Sequence, residues 1–262
     1  MADRPVRHVF LAPHYDDVSL SCGGTVAQLA AAGETPVIVT VMGGIPEGPL
    51  TAFALDQHSR WGFAPDEAVE MRRKEDQCSA NALGAESVWL GLLDAIYRGD
   101  HYTSDEAIFG AVNANEDDLA TQIVDELVTR LPYSLSSYDQ IYVPLAIGNH
   151  VDHQLTFHAG RVLASCGHEV WGYEDFPYAG DPAWQGAIRE RTASLGCGDA
   201  RLIRLSEADV ARKVEAVHCY ASQLGVIFRF QGDPESAIRR YASTVGEGKP
   251  AERYWQVQAS SQ

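Results

Sequence analysis

The stretch HVFLAPHYDDVSLSCGGT, residues 8–25, joins a short apolar run to a small-residue segment through one histidine and two adjacent aspartates. HVFLA has the composition of a buried strand, and TVAQLAAAG (25–33) that of a helix closed by a glycine. PVIVTVM (36–42) is β-branched and apolar on both faces, as parallel strands are. SVWLGL (87–92), QIYVPLAIG (140–148) and EVWGYEDFPY (169–178) are further strand candidates. Between them lie helical patterns at residues 65–84, 118–131 and 154–167; the first has Pro65 and acidic residues at its start and Gly84 at its end. Strands alternating with helices predict an α/β fold, a Rossmann-like and mostly parallel sheet with helices on both faces. Residues 43–63 read as a long loop, a candidate lid. From about residue 179 the pattern is less regular, with one good helix around SEADVARKVEAVHCYASQ (206–223). With no repeat or composition break, a single domain over 1–262 is expected, its core at about 8–223.

A net charge of −16 argues against nucleic acid and anionic membrane surfaces as partners. No apolar run approaches the ~18–20 residues of a membrane span, and the N-terminal segment has no signal-peptide pattern. The five cysteines, Cys22, Cys78, Cys166, Cys197 and Cys219, are odd in number and form no CxxC pair. They read as free thiols used for packing in a reducing compartment, which predicts a cytoplasmic protein.

Ligands on open α/β sheets bind beyond the carboxyl ends of the strands. His14, Asp16 and Asp17 fall at that edge after the first strand, and GNHVDHQ (148–154) falls there after the strand at 140–148. Alone, each cluster reads as a turn or a helix cap, with Asp152 as an N-cap. Together, imidazoles and carboxylates converging around an open position suit a catalytic Zn2+. The dinucleotide fingerprint is absent, since only Gly23-Gly24 follows the first strand. The HxHxDH pattern of metallo-β-lactamases fails because Gly148 stands where its first histidine belongs.

These motifs resemble the PIG-L/LmbE-like zinc-dependent N-deacetylases, whose (P/A)HPDDE and HPDH motifs stand here as PHYDDV and HVDH. Arg72 and Glu75 match the family's Arg-x-x-Glu helix, and Lys213, Ser222 and Gln223 its C-terminal Lys…Ser-Gln helix. Three positions depart: Tyr15 for proline, Val18 for glutamate, and Tyr220 where many members have histidine. Loss of the glutamate at Val18 implies a missing polar partner near the metal.

The resemblance implies His14, Asp17 and His153 as zinc ligands and Asp16 as general base. It also implies His150 as donor to the oxyanion or the leaving amine, with Asp152 orienting His150 and favouring its charged form. The substrate implied is a small N-acylated amino-sugar-like molecule losing an acyl, chiefly acetyl, group. Amide hydrolysis on another conjugate and a non-catalytic binding protein are the alternatives. A homo-oligomer is compatible with the sequence. Arg72 reads equally as a contact near the metal or substrate and as a surface ion pair with Glu75. His58 and Trp61 are candidates for lining a sugar site or for a lid core, and Glu174 and Asp175 for binding substrate hydroxyls.

Overall fold

The computed structural model describes residues 6–64 and 66–259; Pro65, expected at a helix start, lies outside them. In chain order the elements are β1 (His8–Ala12), α1 (Asp17–Ala31), β2 (Val37–Thr40), α2 (Ala52–Trp61), α3 (Ala68–Leu83), β3 (Glu86–Trp89) and the short α4 (Asp105–Ile108). Then follow α5 (Leu119–Arg130), β4 (Gln140–Pro144), α6 (Val151–Ser165), β5 (Glu169–Tyr173), α7 (Pro182–Ser194) and β6 (Ala200–Arg204). The chain closes with α8 (Glu207–His218), α9 (Ala221–Ile227), α10 (Pro234–Val245) and β7 (Ala251–Gln256). The sheet order is β3-β2-β1-β4-β5-β7-β6. The first five strands are parallel, and β7 runs antiparallel to both β5 and β6. The expected mostly parallel α/β sheet is present.

Alternation along the strands divides the core. Val9, Leu11, Val37, Val39, Ile141 and Val143 pack against Ile123 and Leu127 of α5 and Leu155, Ala159 and Leu163 of α6. Phe10, Ala12, Ile38 and Tyr142 point the other way, onto Val18, Cys22 and Val26 of α1, Leu83 of α3 and Ala216 of α8. Helices therefore cover both faces, as two-sided apolar strands require.

Several expectations change. The first helix starts at Asp17, not Thr25, so the aspartate pair sits on its first turn. The predicted lid contains α2, whose Thr51 hydroxyl accepts the Ala54 N–H and whose Gly62 closes it in the left-handed region at φ +77°. The C-terminal part is more regular than its pattern suggests, adding β6 and β7 to the sheet edge. Among the described residues no helix is long and apolar enough to cross a membrane.

The five-thiol expectation fails. Cys78 on α3 and Cys219 at the end of α8 form a disulfide, leaving Cys22, Cys166 and Cys197 free. The compartment argument that rested on five free thiols goes with it. Thiol titration of unfolded, unreduced protein is expected to find three reactive groups, rising to five after reduction; five before reduction contradicts the pairing.

Asp76 on α3 is buried under the same helix junction. Its Oδ2 accepts from Trp89 Nε1 at 2.6 Å and Thr40 Oγ1 at 3.4 Å. Tyr220 Oη lies 2.9 Å from Asp76 Oδ1 and 2.6 Å from the Tyr15 carbonyl. One phenolic hydrogen cannot serve two acceptors. The phenol donates chiefly to the nearer Tyr15 carbonyl, so Asp76 Oδ1 gains a full hydrogen bond at this contact only when the acid is protonated and donates to the phenol. Burial pushes this carboxyl up to about 6.

The native state therefore binds this proton more tightly than the unfolded chain, whose aspartate titrates near 3.9. Its contribution to stability is greatest below about pH 4 and falls by up to about 3 kcal/mol as pH rises through 6. Denaturant unfolding of wild type and Asp76→Asn between pH 4 and 7 is expected to shift in favour of the variant as pH rises. A pH-independent difference would show that Asp76 titrates alike in both states.

Candidate metal centre

The strand order makes the site. β1, β4 and β5 are neighbours, and the order reverses between β1 and β4, the switch point where such sheets bind ligands. After β1 the chain passes His14 and enters α1 at Asp17. After β4 it turns through Ala146, Gly148 and Asn149, all at positive φ, and enters α6 with His150 as the N-cap. Glycine is needed at 148: φ is +91°, and a Cβ would lie 2.7 Å from the Tyr178 ring. After β5 come Glu174 and Asp175.

His14, Asp17 and His153 are brought together, with ligand atoms all within 4.8 Å of one another. His14 Nδ1 is 3.3 Å and His153 Nε2 3.4 Å from the same atom, Asp17 Oδ2, which also accepts the His14 backbone N–H at 2.8 Å. The far nitrogens are held from behind. His14 Nε2 is 3.0 Å from Asp152 Oδ2, and His153 Nδ1 is 2.6 Å from Asp175 Oδ1. Imidazoles whose outer nitrogens are fixed by carboxylates, with their inner nitrogens converging, have the arrangement of metal ligands. His14, His150 and Asp152 also lie close enough to group. There, however, Asp152 is occupied by His14, Arg98 and the Ala95 N–H, and His150 Nδ1 by a backbone N–H.

The charge balance fits a cation. Asp16, Asp17, Asp152 and Asp175 are buried, with Arg72 and Arg98 as the facing cations. Against the cost of burial, Asp94, Asp152 and Asp17 push His14 well above its ordinary range. Asp17 and Asp175 likewise raise His153 against burial. Despite its own burial, Asp17 is held well below the usual carboxylate range by His153 and His14. The site attracts positive charge at the point where the three ligand atoms meet.

Asp16 and His150 line the same cavity, which has a volume of about 1340 Å³. Asp16 Oδ1 accepts from Arg72 Nη2 at 3.3 Å, and burial raises its carboxyl in spite of that arginine. Arg72 therefore pairs with Asp16, not with Glu75, which accepts the Ser222 N–H and hydroxyl at 2.8 and 2.6 Å.

Asp152 does raise His150, as expected, but the charged form it favours does not prevail. The Asp152 carboxylate turns to His14 and Arg98, and only its backbone N–H reaches His150, donating to Nδ1 at 3.2 Å. Burial and the neighbouring His14 charge press His150 well below its ordinary range. The expected Asp152 N-cap is likewise replaced by His150. An Nδ1 that accepts leaves a neutral ring with its hydrogen on Nε2, a donor without a net charge.

Val18 is fully buried between Phe10, Cys22 and the sheet, so it does not face the metal site. Asp175 holds His153 instead of facing substrate, and Glu174 accepts from Tyr241, Arg253 and Trp255. His58 is 1 % exposed and bonded to Tyr97, so it lies on the inward face of α2, whereas Trp61 reaches the cavity and stacks on Arg72. Lys213 pairs with buried Glu252, tying α8 to β7, while Gln223 lines the cavity. Asp94, on the cavity wall 3.7 Å from His14 Nε2, has no motif to mark it in the sequence; its one signal is a position just past β3 on the active edge.

The family profile described as PIG-L, GlcNAc-PI de-N-acetylase, matches residues 9–164, which carry every ligand candidate. The chain belongs to the PIG-L family. This PIG-L protein is 32 % identical over 186 residues to a 2'-N-acetylparomamine deacetylase of Niallia circulans, the match covering 65 % of this chain and 66 % of that one. It is 32 % identical over 230 residues to a protein of the same name from Streptomyces fradiae, covering 83 % and 73 % of the two chains. Among solved structures, a deacetylase of teicoplanin biosynthesis superposes with a TM-score of 0.81 at 26 % identity, covering 98 % of this chain and all of the other.

Proposed function

We propose that this PIG-L protein is a zinc-dependent hydrolase that removes an acetyl group from the amide nitrogen of an amino sugar carried on a larger molecule. The observation that carries the reading is the paired arrangement at Asp17 Oδ2: two inner imidazole nitrogens within 3.4 Å, both rings held from behind by buried carboxylates. His14, Asp17 and His153 would hold the ion, and a mixed nitrogen and oxygen set with room for a further ligand suits Zn2+. When bound, zinc supplies Lewis acidity to the amide carbonyl and acidifies the attacking water.

The chain's own groups do the rest. Asp16 takes the proton from the water and returns it to the leaving amine, with Arg72 keeping its carboxylate aimed into the cavity. His150 donates its Nε2–H to the oxygen that gains charge in the transition state, and its low proton affinity keeps it neutral while it does so. Asp152 and Asp175 are positioning residues for His14 and His153. Residues 1–262 act as one catalytic domain in this reading.

The substrate class rests on two supports. The relatives at 32 % identity carry the name of an N-acetylparomamine deacetylase, an activity on an acetylated amino sugar. The cavity of about 1340 Å³ also exceeds the roughly 300–1,000 Å³ of ordinary small-molecule sites. Its wall offers Trp61, Phe109 and Tyr178 for sugar faces and Asp94 for hydroxyls.

Incubating zinc-loaded protein with free and conjugated N-acetylhexosamines, with released amine and acetate measured by mass spectrometry, tests this. Deacetylation of a conjugate, faster than that of the free sugar, is expected. Zinc-loaded protein that releases no amine from any of them contradicts the reading.

A further inference from the structure

The contacts behind His14 do not stop at Asp152. Asp152 is 0 % exposed, and its Oδ1 accepts from Arg98 Nη1 at 2.6 Å while Oδ2 takes His14 Nε2 and the Ala95 N–H. Arg98 spends the same Nη1 on the Leu93 carbonyl at 2.8 Å. Its remaining edge is gripped by Glu116, Nε to Oε1 at 2.7 Å and Nη2 to Oε2 at 3.3 Å. Tyr102 donates to that same Oε2 at 2.7 Å and accepts the Asn113 N–H at 2.9 Å. One guanidinium is thus clamped between two carboxylates in a largely buried setting.

We infer that Arg98, held by Glu116, is a positioning residue for the metal centre: it fixes the Asp152 carboxylate and, through it, the ring of His14. The inference rests on the reading of His14 as a zinc ligand. The physical reason is the shape of the group. A planar fork with five donors can face Asp152, a backbone carbonyl and a bidentate Glu116 at once, whereas an ammonium is a point charge without that geometry. Without the fork, Asp152 Oδ1 is buried and unheld, and the carboxylate can turn away from His14.

The clamp also has a reach. Arg98 and Glu116 bracket the segment whose Asp105, Ile108 and Phe109 line the cavity. A second fastening, from Asn149 and Gln154 to the Gly110 carbonyl, ties the same segment to the start of α6. The cavity wall and the ligand His14 are therefore anchored to one another through Arg98.

Zinc dissociation constants of the purified full chain, measured by chelator competition, test this directly. Outer-shell partners of ligands typically contribute 10–100-fold in metal affinity, so Arg98→Lys is expected to weaken zinc binding by about that factor. Glu116→Gln, which leaves the arginine in place but loosens it, is expected to weaken binding by a smaller factor in the same direction. The effects of Arg98→Lys and Asp152→Asn should not add, because both act on one contact. Leu127→Ala, a destabilising core change on α5 away from the clamp and the ligands, should leave zinc affinity unchanged, separating positioning from general loss of stability. If Arg98→Lys does not fold, Glu116→Gln decides. Wild-type zinc affinity in whichever of these two variants fold overturns the inference. A wild-type protein that binds no zinc overturns instead the metal-centre reading on which it rests.

Discussion

Asp16→Asn is expected to lower kcat by about 100- to 10,000-fold, the range that general base catalysis supplies, with zinc content unchanged. Asp16 is adjacent to the ligand candidate Asp17, yet its carboxylate stands apart from the three converging ligand atoms and meets Arg72 instead. Asparagine keeps the size and an oxygen for Arg72 to donate to, but it cannot take a proton from water. Steady-state kinetics on metal-analysed protein separate the outcomes. A rate within tenfold of wild type removes Asp16 from the proton transfer. A variant that also loses zinc makes Asp16 a ligand.

Val18→Glu is expected to cost more than about 3 kcal/mol of stability, because it places a carboxylate without a partner among Phe10, Cys22 and Val26. Val18 follows Asp17 directly, but on the first turn of α1 successive side chains point about 100° apart. Asp17 faces the cavity and Val18 the sheet. Denaturant unfolding reads the difference. A variant with wild-type stability and an altered rate would put this side chain at the metal site after all.

The two cases mark what a sequence of this kind discloses. The two clusters of candidate ligands are legible because each follows an apolar strand, and strand ends in a parallel sheet share an edge. Asp175 reads from sequence as a substrate contact, and its grip on His153 becomes visible only once β5 is known to lie beside β4. Arg98 and Glu116 carried no local signal: one follows a short turn after β3, the other ends a polar stretch, and their meeting point is a tertiary fact. The disulfide joins cysteines 141 residues apart, beyond what spacing can pair. Helix α2 has a loop-like sequence because its middle is polar, although Thr51 and Gly62 mark its two ends. Strand β6 is the half-exposed edge of the sheet, and β7 beside it carries Glu252 and Arg253 in its run, so neither shows the continuous apolar stretch of a central strand.

The central claim is that His14, Asp17 and His153 hold one zinc ion. Elemental analysis of the purified chain, beside His14→Ala and His153→Ala prepared identically, tests it most directly. The account predicts one zinc per wild-type chain that survives gel filtration, is lost as pH falls and the ligands take up protons, and is missing from both variants. Zinc at wild-type stoichiometry in both alanine variants would contradict it.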